Sequence, residues 1–174
     1  MASVPLAPVE ELDPFLRALH EDAGEQDWST KHVARAFADH PRLLESYLGF
    51  YYPSHTEGVL PLRIKELVRL RVATLNGCKT CKAARLASED VTEDEAKGVD
   101  DHARGGYDAR ESLALWFAEL MAVDHYSIDH NTVRVMRAEF ELDEFLELAM
   151  MTGQYIGFGR MLAMLQLETV SCPI

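Results

Sequence analysis

Two cysteines separated by two residues stand in the run Asn76-Gly77-Cys78-Lys79-Thr80-Cys81-Lys82-Ala83-Ala84-Arg85. At the start of a helix such a pair places two sulfurs within disulfide reach. The unpaired N–H groups and the positive dipole end there favour a thiolate, the species that attacks peroxides and disulfides. Lys79, Lys82 and Arg85 add positive charge, and Arg85, four residues after Cys81, is expected on the same helical face as a charged partner for its thiolate. Two other uses of the pair stay open. It could be half of a zinc site, with Cys172 and seven scattered histidines as the remaining candidates, or two small buried residues with no chemistry.

A second candidate is Glu66, in Leu62-Arg63-Ile64-Lys65-Glu66-Leu67-Val68-Arg69. The helix carrying it directly precedes the cysteines, so antiparallel packing would bring a carboxylate near a thiol whose proton it could accept, directly or through a water. The bland alternative is a salt bridge to Arg63 or Arg69, three residues away on either side. The histidines are weaker signals. His102 reads as a loop residue, and His125 and His130 flank a turn. No glycine-rich phosphate loop is present.

The elements that must position these groups read as helices almost throughout, because apolar residues recur at three- and four-residue spacing and no sustained two-residue alternation occurs. Helices are expected over Val9 to about Ala23, after a Ser29/Thr30 cap, from Pro41 through Tyr51, from Pro61 to Asn76-Gly77, and from Cys78 to about Leu86. More follow in a short acidic stretch within Thr92 to Gly106, around Leu113–Val123 and Val133–Phe140, and over Asp143–Leu167. Pro53 to Gly58 reads as a loop. The expectation is one all-α domain spanning residues 1–174, with about seven to nine helices.

Composition narrows the partners. Twelve net negative charges repel phosphate backbones and anionic lipid headgroups, so neither nucleic acid nor a membrane surface is an expected partner. Three cysteines are too few and too clustered for a disulfide-stapled secreted domain. The first residues lack the basic and apolar regions of a signal peptide, and a cytoplasmic protein is expected. The apolar run from Phe145 to Leu167 is interrupted by Glu147, Gln154, Arg160 and Gln166, and reads as a buried helix.

Glu66 followed after eleven residues by Cys78-x-x-Cys81, the Trp116-Phe117-Ala118-Glu119-Leu120 helix and the closing Thr152-Gly153-Gln154-Tyr155…Gly159-Arg160 helix together resemble the carboxymuconolactone decarboxylase superfamily, and within it the alkylhydroperoxidase D (AhpD)-like branch. The resemblance covers roughly Val33 to Leu167. It implies an all-α fold whose copies assemble as trimers, dimers or hexamers, and an oxidoreductase of the peroxidase, or peroxiredoxin, type with no bound cofactor. In it the residue matching Cys81 attacks a hydroperoxide or disulfide substrate, the one matching Cys78 closes the disulfide, and the one matching Glu66 begins a proton relay. A thioredoxin-like or lipoyl-bearing reductant then restores the dithiol.

One departure stands out. Where the branch carries Cys-x-x-Cys-x-x-x-His with another histidine inside the pair, this chain has Arg85 and Thr80. A guanidinium stays charged and only donates hydrogen bonds, so Arg85 can stabilise a thiolate but cannot shuttle a proton. The superfamily's cofactor-free lyases and a non-catalytic, redox-sensing oligomer are the competing readings. Gly153, Gly157 and Gly159 are expected in helix contacts, inside the protein before between subunits.

Overall fold

The computed structural model describes residues 2–25, 27–102 and 106–167. Among these, nine α-helices and no strand are found. The helices are α1 (Pro14–Asp22), α2 (Trp28–Ala36), α3 (Pro41–Thr56), α4 (Leu62–Leu75), α5 (Lys79–Ala83), α6 (Glu93–Gly98), α7 (Ala109–Val123), α8 (His130–Glu139) and α9 (Leu142–Met164). The expected all-α class is what folds.

Helix starts follow local chemistry. Asp13, Asp27, Asp108 and Asp129 each cap a helix by accepting an N–H bond from the residue three positions on, and Thr92 with Glu95 closes a reciprocal capping box on α6. The cap of α2 is therefore Asp27, and Ser29 lies buried inside the helix. The expected loop at Pro53–Gly58 is mostly helix. α3 continues through Pro53 to Thr56, and the Glu57 N–H bonds to the Pro53 carbonyl at 2.8 Å. A proline so near the end of a helix removes one ladder bond without stopping the last turn.

α4 is the central element. Every residue from Ile64 to Ala73 is buried, including Lys65, Glu66, Arg69 and Arg71. Ile64, Val68 and Val72 pack against Ala114, Phe117 and Ala118 of α7 and against Leu148, Met151 and Tyr155 of α9. A second cluster joins Leu16, Val33, Ala34, Leu44 and Leu162, with Cys81 at its edge. Charged residues survive inside such a helix only when paired. Lys65 meets Glu147 at 2.8 Å and also donates to the Ser54 carbonyl, while Arg63 meets Glu95 and Glu111.

Of the three α9 glycines, only Gly159 packs inward, where an added Cβ would fall 2.8 Å from the Asn76 amide. Gly153 and Gly157 have nothing near them and share the outward face with Leu142, Leu146 and Met150. Interior packing thus accounts for one glycine of the three.

Candidate active site

The cysteines sit at the junction of α4 and α5. Gly77 adopts a left-handed φ of 67°, and two bonds, Gly77 N–H to the Thr74 carbonyl (3.0 Å) and Cys78 N–H to the Ala73 carbonyl (2.9 Å), close α4 in a Schellman motif. The preceding Asn76 is tied to α9. Its amide donates to the Ile156 carbonyl at 3.3 Å and its oxygen accepts from Arg160 Nε at 3.1 Å. Cys78 is at once the last residue of this motif and the N-cap of α5, where its Sγ accepts the Cys81 N–H at 3.1 Å. The two cysteines are joined as a disulfide with their Cα atoms 5.3 Å apart.

α5 is shorter than the helix expected to run to Leu86, and the cause is Arg69. In a continuing helix the Cys81 carbonyl would receive the Arg85 N–H, but it accepts Arg69 Nη1 at 2.6 Å, and Arg69 Nη2 bonds the Ala84 carbonyl. Arg85 therefore lies beyond the helix end, and its expected place on the face of Cys81 is not realised. It turns to Glu93, to the Val91 carbonyl (2.6 Å) and to Glu66, whose Oε1 is 3.6 Å from its Nε. Lys82 likewise lies 3.7 Å from the Asp100 carboxylate. Much of the local positive charge around the cysteines is thus paired with carboxylates.

Glu66 is fully buried and makes the salt bridge that spacing alone suggested, to Arg69 and not to Arg63. The pairing is bidentate, Nε to Oε2 and Nη2 to Oε1, both 2.8 Å, and Oε1 also accepts the Leu86 N–H at 3.2 Å. Burial pushes the carboxyl upward, but the Arg69 hydrogen bonds and charge outweigh it and hold Glu66 below its ordinary range. One guanidinium therefore connects the buried carboxylate to the main chain of the cysteine segment.

On the other side of Glu66 stands His55, fully buried, with Nε2 3.8 Å from Glu66 Oε2 and Nδ1 2.7 Å from the Tyr155 hydroxyl. Burial, reinforced by Arg69 and Lys65 against the pull of Glu66, pushes the imidazole down to about 4. It is neutral at pH 7. Tyr47, Tyr51 and His55 lie four residues apart along one face of α3, their rings stacked in sequence.

A cavity of about 140 Å³ opens beside the pair, walled by Val33, Leu48, Tyr51, Phe158 and Leu162, with Cys81 and Tyr155 on its lining. Cys78 is fully buried and does not line it. The space is close to the ~150 Å³ apolar cavity that accepts benzene in an engineered protein. It suits an apolar group next to the Cys81 sulfur.

Cys78, Cys81, Glu66 and Arg85 all fall within this one region. Arg69, His55 and Tyr155 join them without having been singled out in the sequence, although Tyr155 lies in the quoted α9 motif. The four-residue spacing of Tyr47, Tyr51 and His55 was the available signal, hidden because residues 53–58 read as a loop. His102 bonds Glu119 at 3.2 Å, and His125 and His130 are exposed at a turn. Cys172 lies outside the described residues. Among the described residues no group of three or more His, Cys, Asp or Glu side chains could hold a metal ion, and no helix is long and apolar enough to cross a membrane.

No protein-family description and no curated sequence matches the chain. Solved structures do resemble it. A peroxidase-related protein from Silicibacter sp. TM1040 superposes with a TM-score of 0.79 at 19% identity, covering 98% of this chain and 92% of that one. An alkylhydroperoxidase AhpD core, a peroxidase-related protein from Ralstonia eutropha JMP134, superposes with a TM-score of 0.74 at 16% identity, covering 98% and 93%. At these identities the likeness is one of architecture, and the chain has an AhpD-like all-α fold.

Proposed function

We propose that this chain is a thiol-dependent peroxidase, or thiol–disulfide oxidoreductase, that cycles Cys78 and Cys81 between dithiol and disulfide. The observation carrying this reading is the asymmetry of the pair. One cysteine, Cys81, lines a largely apolar cavity, and the other, Cys78, is enclosed, its sulfur accepting a backbone N–H.

In the reduced protein the Cys81 thiolate attacks the outer oxygen of a hydroperoxide whose apolar group occupies the cavity, giving a sulfenic acid and an alcohol. Cys78 then attacks that sulfur, forming the disulfide and releasing water. A dithiol reductant, thioredoxin-like or lipoyl-bearing, attacks the accessible Cys81 sulfur and expels Cys78 as a thiolate. The N–H bond from Cys81 stabilises this leaving group. Glu66 accepts the proton of the Cys81 thiol, and Arg69 keeps the carboxylate and the cysteine main chain in one unit. The names of the structural neighbours support the same class of reaction.

The test is peroxide consumption driven by a dithiol, comparing wild type with Cys81→Ser, Cys78→Ser and Glu66→Gln. Loss of turnover in both cysteine variants is expected, with slower turnover in Glu66→Gln. Equal rates in all four proteins would overturn the reading.

A further inference from the structure

We propose that Tyr155, backed by His55, donates the proton that the departing oxygen of the peroxide requires. The proposal rests on the peroxidase reading above and assigns the part of the proton path that Arg85 cannot supply. Breaking the O–O bond expels an alkoxide, which is a poor leaving group unless protonated as it departs. Tyr155 is among the residues lining the same cavity as Cys81, and its hydroxyl is 2.7 Å from His55 Nδ1. The other ring nitrogen of His55 is buried without a hydrogen-bond partner and faces Glu66 at 3.8 Å. Exchangeable groups are thus ranged from Glu66 on α4 through His55 on α3 to Tyr155 on α9, a cavity-lining residue; the His55–Tyr155 link is already a hydrogen bond, and the 3.8 Å Glu66–His55 step closes by a short approach of the two side chains. The surrounding groups fix its character. Arg69 and Lys65 from α4 disfavour a second proton on His55, Tyr51 stacks on its ring, and Glu147 neutralises Lys65.

With the single imidazole proton on Nδ1, that atom donates to the Tyr155 oxygen and leaves the phenolic proton free to be given away. The step balances as follows. The Cys81 sulfur forms an S–O bond and is oxidised to the sulfenic acid while the O–O bond breaks and the peroxide is reduced to the alcohol. The thiol proton taken by Glu66 passes to His55 Nε2, the Nδ1 proton passes to the Tyr155 oxygen, and the Tyr155 proton goes to the alkoxide. One proton leaves sulfur and one arrives on oxygen. Tyr155 is the donor to the reacting atoms, and His55 is a positioning residue that acts through it.

The experiment uses the reduced full chain in single-turnover thiol oxidation by two oxidants. One is tert-butyl hydroperoxide, whose alkoxide needs a proton. The other is peracetic acid, whose carboxylate leaves without one. Tyr155→Phe keeps the ring and is expected to slow the alkyl hydroperoxide by roughly 100-fold, the usual reach of a positioned general acid, while the peracid rate changes little. His55→Gln should slow the same oxidant selectively and by less. Equal slowing of both oxidants in Tyr155→Phe and His55→Gln, as a structural role would give, overturns the assignment, and so does unchanged reactivity in both variants. A wild-type protein that loses thiols to neither oxidant overturns the peroxidase reading itself.

Discussion

Arg69 grips the buried Glu66 carboxylate with two 2.8 Å bonds and, with the same guanidinium, holds the carbonyl oxygens of Cys81 and Ala84. Its removal leaves the buried carboxylate in the centre of α4 with only the Leu86 N–H and the more distant Arg85 to compensate it. Arg69→Met should therefore destabilise the protein by about 3–5 kcal/mol, the usual effect of breaking a buried pair from one side. The double variant with Glu66→Gln should recover a large part of that loss. Urea unfolding of the two singles and the double measures the coupling, and strictly additive losses would refute the pairing as the source.

His55 ties stability to pH. Its folded-state value is pushed down to about 4 by burial, whereas the unfolded imidazole titrates near its ordinary 6.5, so between these values the unfolded chain binds a proton that the native protein refuses. Stability should fall as pH drops from 6.5 towards 4, by about 3 kcal/mol at most from this group. Glu66, held below its ordinary carboxyl range, adds to the loss below about pH 4.5. Urea midpoints between pH 7 and pH 5 should decline in the wild type and more shallowly in His55→Gln. Parallel curves would show that His55 is not the titrating group.

The pattern of apolar residues was enough for an all-helical fold, and the Cys78–Cys81 spacing with its preceding glutamate pointed to residues that the fold brings into one candidate region. What escaped was set by side-chain hydrogen bonds across helices, which spacing does not encode. Nothing local in Arg69 announces that it will capture the Cys81 carbonyl and stop α5 before Arg85 is reached. Nor does the sequence around Pro53 show that α3 goes on long enough to carry His55 inward, since Pro, Ser, Thr and Gly cluster there as they do in loops. α3 runs past that composition signal to Thr56, and His55 is buried with it.

Arg85 is bound to Glu93, Val91 and the edge of Glu66, with no place on the face of Cys81. Replacing it should leave the disulfide able to form. Arg85→His is expected to lose two free thiols on mild peroxide treatment, as the wild type does, with stability changed by only about 1 kcal/mol because the Glu93 carboxylate it pairs with is exposed to solvent. A variant in which Cys78 and Cys81 no longer pair would restore Arg85 to the thiol chemistry.

Gly77 supplies the left-handed residue that ends α4 and delivers Cys78 to the cap of α5. An alanine there meets no neighbour but must adopt a φ that costs an L-residue roughly 1–2 kcal/mol. Gly77→Ala should lower the unfolding free energy by that amount and slow disulfide closure, because relaxing the turn moves Cys78 relative to Cys81. Gly153→Ala, on the outward face of α9 with open space at its Cβ, is the control and should be neutral or slightly stabilising.

The different burial of the two cysteines supports the order of attack proposed above and makes it testable. Cys78 is fully buried beneath the turn, whereas Cys81 borders the cavity, so only Cys81 can meet a reagent without local opening. In Cys78→Ser the remaining Cys81 thiol should be alkylated by iodoacetamide at least about tenfold faster than Cys78 in Cys81→Ser, a ratio that requires an opening cost of only ~1.4 kcal/mol. The N–H bond to Cys78 Sγ opposes this trend by stabilising its thiolate, so the comparison is decisive when run at a pH where both thiols are ionised. Faster reaction at Cys78 under that condition would reverse the roles of the two cysteines and make the enclosed sulfur the nucleophile.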